Sequence, residues 1–311
     1  MFDGRELIYF DDPNTTLSAD RALDSREPAP RSPAATMRQD PLTGEWISIA
    51  AARQNRVFLP PAHLDPLAPA TPENPSEIPS NYDVVVFENK SPSFGPKYLT
   101  DGDVVGELGD LESVGLGRTK PSIGRCEVVC FSPEHDGSFA TLTPQRARTV
   151  VEAWTDRTAE LSAIPGVQQV FVFENRGQEI GVTLHHPHGQ IYSYPFITPK
   201  TQQLLRSIEN YGPTLMGDIL AFEQKSERVV LVGEFFTAYV PFAARWPLEV
   251  HMLPHRHVPD FTELTDPERD ELAVMQQKIL SALDKLYDTP TPYIAAWHQA
   301  PVNKGRSDIR M

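Results

Sequence analysis

His186-Pro187-His188-Gly189-Gln190, running on into Ile191-Tyr192-Ser193-Tyr194, is the stretch whose reading decides the fold. Read as a strand, its period of two sends His186, His188 and Gln190 to one face and Pro187 and Gly189 to the other. Three nitrogen-bearing side chains then share one side. Proline opens, edges or bulges a strand, and a strand glycine admits close approach of a ligand or another backbone, so both suit a site rim better than a core. Two histidines two apart are also compatible with a structural metal pair or with chance, and only their surroundings can separate these readings.

Immediately upstream, Val167 to Glu174 reads as a strand and Arg176-Gly177 as its turn, with the histidine strand returning antiparallel near Ile191 to Tyr194. That return delivers Asn175 close to His186 to Gln190. Further back, Thr143 and Pro144 supply an N-cap and a first-turn proline. Ala147, Val150, Val151, Trp154 and Leu161 keep helical spacing until Pro165-Gly166 stops them. Before that helix, Cys126 to Phe131 is strand-like. Cys126 and Cys130, the two cysteines of the chain, face the same way without forming a CxxC pair and read as reduced packing residues.

The first third is less regular. Residues 1 to 36 are polar, carry prolines at 13, 28, 30 and 33, and read as an arm. Pro41 and Gly44 mark a turn into a short alternating strand ending near Ala50, with Arg53 and Arg56 just beyond. Pro60 to Pro79 is a proline-rich loop of a length more often functional than idle, and Tyr82 to Asn89 is strand-like. With 311 residues, the chain is long enough for about two domains. No run of about 18 apolar residues appears, and Met1-Phe2-Asp3-Gly4-Arg5-Glu6 lacks the basic and apolar regions of a signal peptide, so a soluble, cytoplasmic protein is expected. A formal charge of -14 with no basic tract argues against nucleic acid or an anionic membrane as partner. An anionic substrate would need a local cationic pocket.

The later half repeats the plan. At a constant offset of 122, Glu127-Val128 aligns with Glu249-Val250, His135 with His257, Phe139 with Phe261, Leu142 with Leu264 and Thr143 with Thr265. A second helix follows, with Leu272, Val274, Met275, Ile279, Leu280, Leu283 and Leu286 on its apolar positions, and Tyr293 to Trp297 falls where the strand from Phe171 to Asn175 predicts. The fold expected is α+β: two related units, each an antiparallel sheet with a packed helix, spanning residues 1–200 and 201–311. The offset maps His188 to Arg310, so the second unit is expected to be truncated at its last strand.

Phe173-Glu174-Asn175-Arg176-Gly177 followed by His186-Pro187-His188-Gly189-Gln190 resembles the signature of the galactose-1-phosphate uridylyltransferase family, in the histidine-triad superfamily. Pro41-Leu42-Thr43-Gly44-Glu45-Trp46, Phe131-Ser132-Pro133-Glu134-His135, Arg245-Trp246-Pro247 and Trp297-His298-Gln299-Ala300-Pro301 extend the likeness along the chain. The resemblance implies exchange of UMP between UDP-glucose and galactose 1-phosphate by a ping-pong mechanism in a homodimer. A neutral imidazole is a suitable nucleophile for such a double displacement near pH 7. By resemblance, His188 attacks, the His186 backbone carbonyl fixes its tautomer, and Gln190 donates to a phosphoryl oxygen, a bond whose loss typically costs about 3 to 4 kcal/mol. Asn175 resembles a phosphate and sugar contact, Thr183 a phosphate contact, and Arg53, Arg56 and Asn89 nucleotide-binding positions. Two other functions share these motifs, an adenylyl-transferring phosphorylase of the same superfamily and a degenerate nucleotide-binding paralogue.

Metal ligation is where the sequence departs from the family pattern. Family members bind zinc through a CxxC pair and two histidines; the histidines match His135 and His186, but the CxxC slot holds Asp65-Pro66-Leu67-Ala68. Asp65, with His63 as a helper, is expected to complete at best a weak zinc site. Of a second, iron-binding set only His298 has a match, the glutamate position holding Leu204, and no iron is expected.

Overall fold

The computed structural model describes residues 1–27, 35–51, 53, 59–95 and 116–311. Two short strands come first, β1 (Leu7–Phe10) and β2 (Thr36–Gln39). The carboxylate of Asp40 then closes a turn by accepting from the Leu42 N–H at 2.8 Å and the Thr43 hydroxyl at 3.1 Å, and β3 (Trp46–Ile49) returns beside β2. Next come β4 (Val84–Glu88), β5 (Thr119–Pro121) and β6 (Arg125–Cys130). Helix α1 (Pro144–Ser162) starts as its sequence dictates, with Thr143 accepting from the Arg146 N–H at 3.1 Å and Pro144 in the first turn. Strands β7 (Gln169–Arg176) and β8 (His188–Tyr194) complete the first half. Helices α2 (Pro199–Tyr211) and α3 (Leu215–Glu223) lead to β9 (Val229–Val232), β10 (Phe236–Tyr239) and β11 (His251–Pro254), then α4 (Asp266–Leu283) and β12 (Tyr293–Trp297).

Six strands form one antiparallel sheet in the order β1-β4-β6-β8-β7-β12, and two three-stranded sheets, β11-β10-β9 and β3-β2-β5, flank it. One face of the large sheet is covered by helices. Val84, Val86, Val129, Val170, Val172 and Ile191 point there and pack against Ala147, Val150, Val151, Trp154 and Leu161 of α1, the helical positions expected from spacing. Trp154 is the centre of this layer, stacked on Phe139 at 5.6 Å and tilted against Phe261 at 5.7 Å. The opposite face carries Cys126 and Cys130, free, buried packing residues as expected.

The amino-terminal segment is not merely an arm. β1 pairs with β4 from Leu7↔Phe87 to Phe10↔Val84, and the buried Arg5 guanidinium donates to the Glu88 carbonyl and the Glu77 carboxylate, both at 2.8 Å. Four residues amid polar neighbours carry too little periodicity to announce a strand; the sheet edge they complete decides the matter. The loop before β4 is ordered as well, with Asp65, Leu67 and Ile78 buried.

The repeat holds in three dimensions. Helices α1 and α4 begin 122 residues apart, as do the 3-10 turns Phe139–Thr141 and Phe261–Glu263, and Arg148 Nε meets its own offset mate, Asp270, at 2.6 Å. A residue touching its own counterpart marks an internal two-fold relation. β12 does not sit among the strands of its own half but pairs antiparallel with β7, Tyr293 opposite Arg176 and Trp297 opposite Val172. Here the offset slips. Tyr293 bonds Glu174 on the helix-covered side, whereas Phe171 stacks with Phe173 on the other, so the two cannot be counterparts. The connector from helix to strand runs from 163 to 168 in the first copy and from 284 to 292 in the second, and a shift of one residue reverses every side chain of a strand. Leu286, expected on the apolar face of the second helix, lies beyond its end and is exposed.

Candidate active site

The strand carrying the signature begins at His188, one residue after Pro187, whose carbonyl accepts from the Phe131 N–H at 3.0 Å. Burial alternates along β8. Gly189, Ile191 and Ser193 face the helices, while His188, Gln190, Tyr192 and Tyr194 face the open side. In the register of the sheet, His188 lies opposite Cys130, and Gln190 lies between Val128 on β6 and Phe173 on β7. Two residues beyond Phe173 in the direction of His188 comes Asn175, its Oδ1 buried without a partner among the described residues. The glycine is explained differently from the expectation of a rim. A Cβ on Gly189 would stand 2.9 Å from Phe131 Cζ and 3.1 Å from the Phe173 carbonyl oxygen, so a core ring and a neighbouring strand, not a ligand, demand glycine there.

His188 is held in one tautomer. Its Nδ1 lies 2.7 Å from the His186 carbonyl oxygen, which can only accept, so Nδ1 carries the proton and Nε2 keeps a lone pair. Burial, helped by the neighbouring His186, pushes its pKa below 6.5 despite the carbonyl contact and Asp65. The half-buried ring is therefore neutral near pH 7. The Tyr192 hydroxyl donates to Gln190 Oε1 at 3.2 Å, which leaves the amide N–H groups of Gln190 for another acceptor.

His186 does not share the face of His188, as the simple alternation expects; it precedes the strand, is 1% exposed, and turns into a buried cluster. Its Nδ1 is 2.7 Å from Asp65 Oδ2, and His135 Nδ1 reaches the same oxygen at 2.8 Å. Burial pushes the Asp65 carboxyl up, but the hydrogen bond and charge of His186 and the bonds from His135 and the Leu67 N–H outweigh it, holding the pKa at about 2. His186 Nε2 lies 2.8 Å from the Ser132 carbonyl oxygen, so that nitrogen carries a proton, and the Tyr82 hydroxyl approaches at 2.9 Å. With Nε2–H thus committed, Nδ1 facing a carboxylate calls for a cation between them, either a second ring proton or a metal. One ligand atom from each of Asp65, His135 and His186 lies within 4.8 Å of the others, and two imidazoles with a carboxylate fit a divalent cation. His63, in the 3-10 turn Ala62–Leu64, is exposed and outside that group.

Arg53 and Asn89 meet at one loop, where Arg53 Nη1 donates to the Ser91 carbonyl at 3.1 Å and Asn89 Oδ1 accepts from the Ser91 N–H at 2.9 Å. The Asn89 N–H also donates to the carbonyl of Cys126, which lies opposite Tyr192, so the loop stands two residues along β8 from Gln190. Thr183 lies between β7 and β8, its carbonyl accepting from the Leu59 N–H at 2.8 Å. Arg56 lies outside the described residues. Leu204 packs in an apolar cluster with Ile208 and Ile309. His298 lies tilted against Phe171 at 5.4 Å, its pKa pushed down to about 4 by burial and by Lys200 and His251.

Sequence reasoning missed the aromatic floor beside Gln190, where Phe173 and Tyr192 meet edge to face at 5.0 Å and Phe94 meets Tyr194 at 5.1 Å. The period-two repetition of Gln190, Tyr192 and Tyr194 carried that signal. Tyr82 and Ser132 had none, being brought to His186 from 104 and 54 residues away.

A helix-backed antiparallel sheet that presents a neutral, tautomer-fixed histidine on its open face places the chain among the uridylyltransferases of the histidine-triad superfamily. Residues 27–198 match the galactose-1-phosphate uridyl transferase N-terminal domain, and residues 201–309 its C-terminal domain. The chain belongs to the galactose-1-phosphate uridylyltransferase family. It is 45% identical over 310 residues to galactose-1-phosphate uridylyltransferase of Streptomyces lividans, covering 97% of this chain and 79% of that protein. With the enzyme of the same name from Thermotoga maritima it shares 35% over 277 residues, covering 86% and 81%. A solved structure of uridylyltransferase superposes with a TM-score of 0.70 at 30% identity, covering 86% of this chain and 81% of that one.

Proposed function

We propose that the chain exchanges UMP between UDP-glucose and galactose 1-phosphate, in galactose catabolism, through a uridylyl group carried on Nε2 of His188. The observation that carries this reading is the 2.7 Å bond from His188 Nδ1 to the His186 carbonyl, which leaves Nε2 a free lone pair on the open face. In the first displacement that lone pair attacks the α-phosphorus of UDP-glucose, and the bond to the departing glucose 1-phosphate oxygen breaks. In the second, a phosphate oxygen of galactose 1-phosphate attacks the same phosphorus and the P–N bond breaks, giving UDP-galactose. Gln190 donates to the non-bridging oxygen that gathers charge in both steps. Asn175 and Thr183 contact the phosphates, and Arg53, Arg56 and Asn89 hold the nucleotide. Mass spectrometry of the protein after incubation with UDP-glucose tests this: one acid-labile uridylyl group is expected, absent from His188→Ala. No adduct, or an adduct retained by His188→Ala, overturns it. Product analysis with UDP-glucose against ADP-glucose separates uridylyl from adenylyl transfer.

Asp65, His135 and His186 would hold a zinc ion weakly, and such an ion would fix the segment whose His186 carbonyl orients His188. Metal analysis is expected to find zinc that dialysis against a chelator removes; one zinc per chain surviving that treatment overturns the weakness, and no iron is expected in either sample. The reading extends to two related units, 1–200 and 201–311, supported by the 122-residue offset, and to a cytoplasmic homodimer. Two free, buried thiols accord with a reducing compartment, and among the described residues no helix is long and apolar enough to cross a membrane. Sedimentation giving a monomer at micromolar concentration would remove the dimer from this account.

A further inference from the structure

β7 carries two consecutive side chains of opposite address. Asn175 leaves the open face beside His188, and Glu174 leaves the helix-covered face into the seam with β12. Glu174 is 4% exposed and lies opposite Ala295, too small to fill the space beside it. The Tyr293 hydroxyl donates to its Oε1 at 2.7 Å, while Oε2 is buried with no partner among the described residues. Around the pair, Arg176 Nη1 is bound to both oxygens of Asp284, at 2.6 and 2.7 Å, and its guanidinium lies 5.7 Å from the Tyr293 ring. One copy of the repeat thus grips the other around a carboxyl that is only half satisfied, one residue from a site side chain.

We propose that Glu174 is a positioning residue, a carboxyl built into the β7–β12 seam that sets where Asn175 stands and so links the second copy of the repeat to uridylyl transfer. The proposal rests on the reading that Asn175 contacts the transferred phosphate. A neutral carboxyl suits this seam, since one oxygen accepts from Tyr293, the other has no hydrogen-bond partner among the described residues, and the nearby Arg176 is already bound to Asp284. Burial raises the pKa of Glu174 to about 7, against the opposing pull of Tyr293 and Arg176, with Asp284 adding to the rise. On β8 its neighbour in the sheet is Gly189, which brings no charge. Ionisation places an unpaired charge in the seam, draws Arg176 from Asp284 and shifts β7. The neutral form is therefore the competent one, and transfer declines as pH rises through about 7.

The test is the pH profile of kcat and KM for the full chain with UDP-glucose and galactose 1-phosphate. Wild type is expected to lose about tenfold in kcat across a descending limb centred near neutrality, with KM nearly constant, as befits a small displacement of a transition-state contact. Glu174→Gln, which mimics the neutral carboxyl, should erase that limb. Tyr293→Phe removes a donor that favours the ionised form and should move the limb to higher pH. A wild-type profile with no descending limb, a limb that persists unchanged in Glu174→Gln, or one that Tyr293→Phe leaves in place or moves downward overturns the proposal. Asn175→Ala is the separate arm: undiminished transfer in that variant discards the role of Asn175, whatever Glu174→Gln does.

Discussion

The two copies of the repeat keep the same apolar skeleton, and polar matches such as Glu127 with Glu249 and Thr143 with Thr265, but differ on the helix faces that meet the core. Phe139 and Phe261, Val150 and Leu272, and Leu161 and Leu283 occupy offset-related positions in a shared core. At the offset of Trp154, however, the second copy has Gln276, whose Oε1 is buried without a partner among the described residues, and at the offset of Arg157 it has Ile279. Arg157 is half of a buried ion pair that locks α1 to β6, reaching the two oxygens of Glu127 at 2.9 and 3.1 Å. Each copy must bury one sheet face under one helix, so packing constrains both alike. On the function proposed above, the chemistry falls to the first, where His188, Gln190 and Asn175 stand. The second has become a support, lending β12 and Tyr293 to the sheet of its sibling.

If that division is right, Trp154→Ala should be the most damaging core change, costing about 3–5 kcal/mol in chemical denaturation. Its mate Gln276→Ala should cost under about 1 kcal/mol; equal costs would break the asymmetry. Gln190→Ala is expected to lower kcat by about 10²–10³-fold while leaving the denaturation midpoint nearly unmoved. Arg310→Ala, at the offset of His188, should act only through the Pro254 and His255 carbonyls it binds, visible as stability and not as kcat. Asp65 makes a pH prediction. Its folded pKa is depressed from 3.8 to about 2, so its contribution is present above about 3.8 and is lost as pH falls through about 2. That loss amounts to ~2 kcal/mol, and acid denaturation of Asp65→Asn should lack it. Smallest of all, Asp270→Asn breaks the contact with Arg148 across the internal two-fold. Because Asp270 is 67% exposed, a thermal shift corresponding to ~0.5 kcal/mol or less is expected, and a larger one would make that contact structural.

The sequence was legible wherever one element carried its own punctuation. α1 announced itself through Thr143, Pro144 and its apolar spacing, and the antiparallel return of β8 on β7 followed from Arg176-Gly177 and the strand patterns on either side. Asp65 in place of a thiolate pointed to the cluster it joins with His135 and His186. Illegible features were those settled by distant partners. β1 exists because β4 has an edge to fill. His186 leaves the strand pattern because Asp65, 121 residues away, and the Ser132 carbonyl capture both its nitrogens. β12 slips against the repeat because its connector, 284 to 292, is longer than that of the first copy, 163 to 168, which no local pattern marks. Glycine at 189 signalled a close approach correctly but could not say that the visitor is Phe131.

The antiparallel pairing of β7 with β12 has a consequence beyond the sheet it extends. Two-fold contacts between identical chains dissolve on dilution, and every substitution in them is made twice, once on each side. A two-fold drawn inside one chain escapes both constraints: its effective concentration is fixed by the linking polypeptide, and each side mutates alone. That freedom is what allows Phe173 and Glu174 on one strand to face Ala296 and Ala295 on the other, bulk against vacancy, in a seam that no identical pair of strands could make.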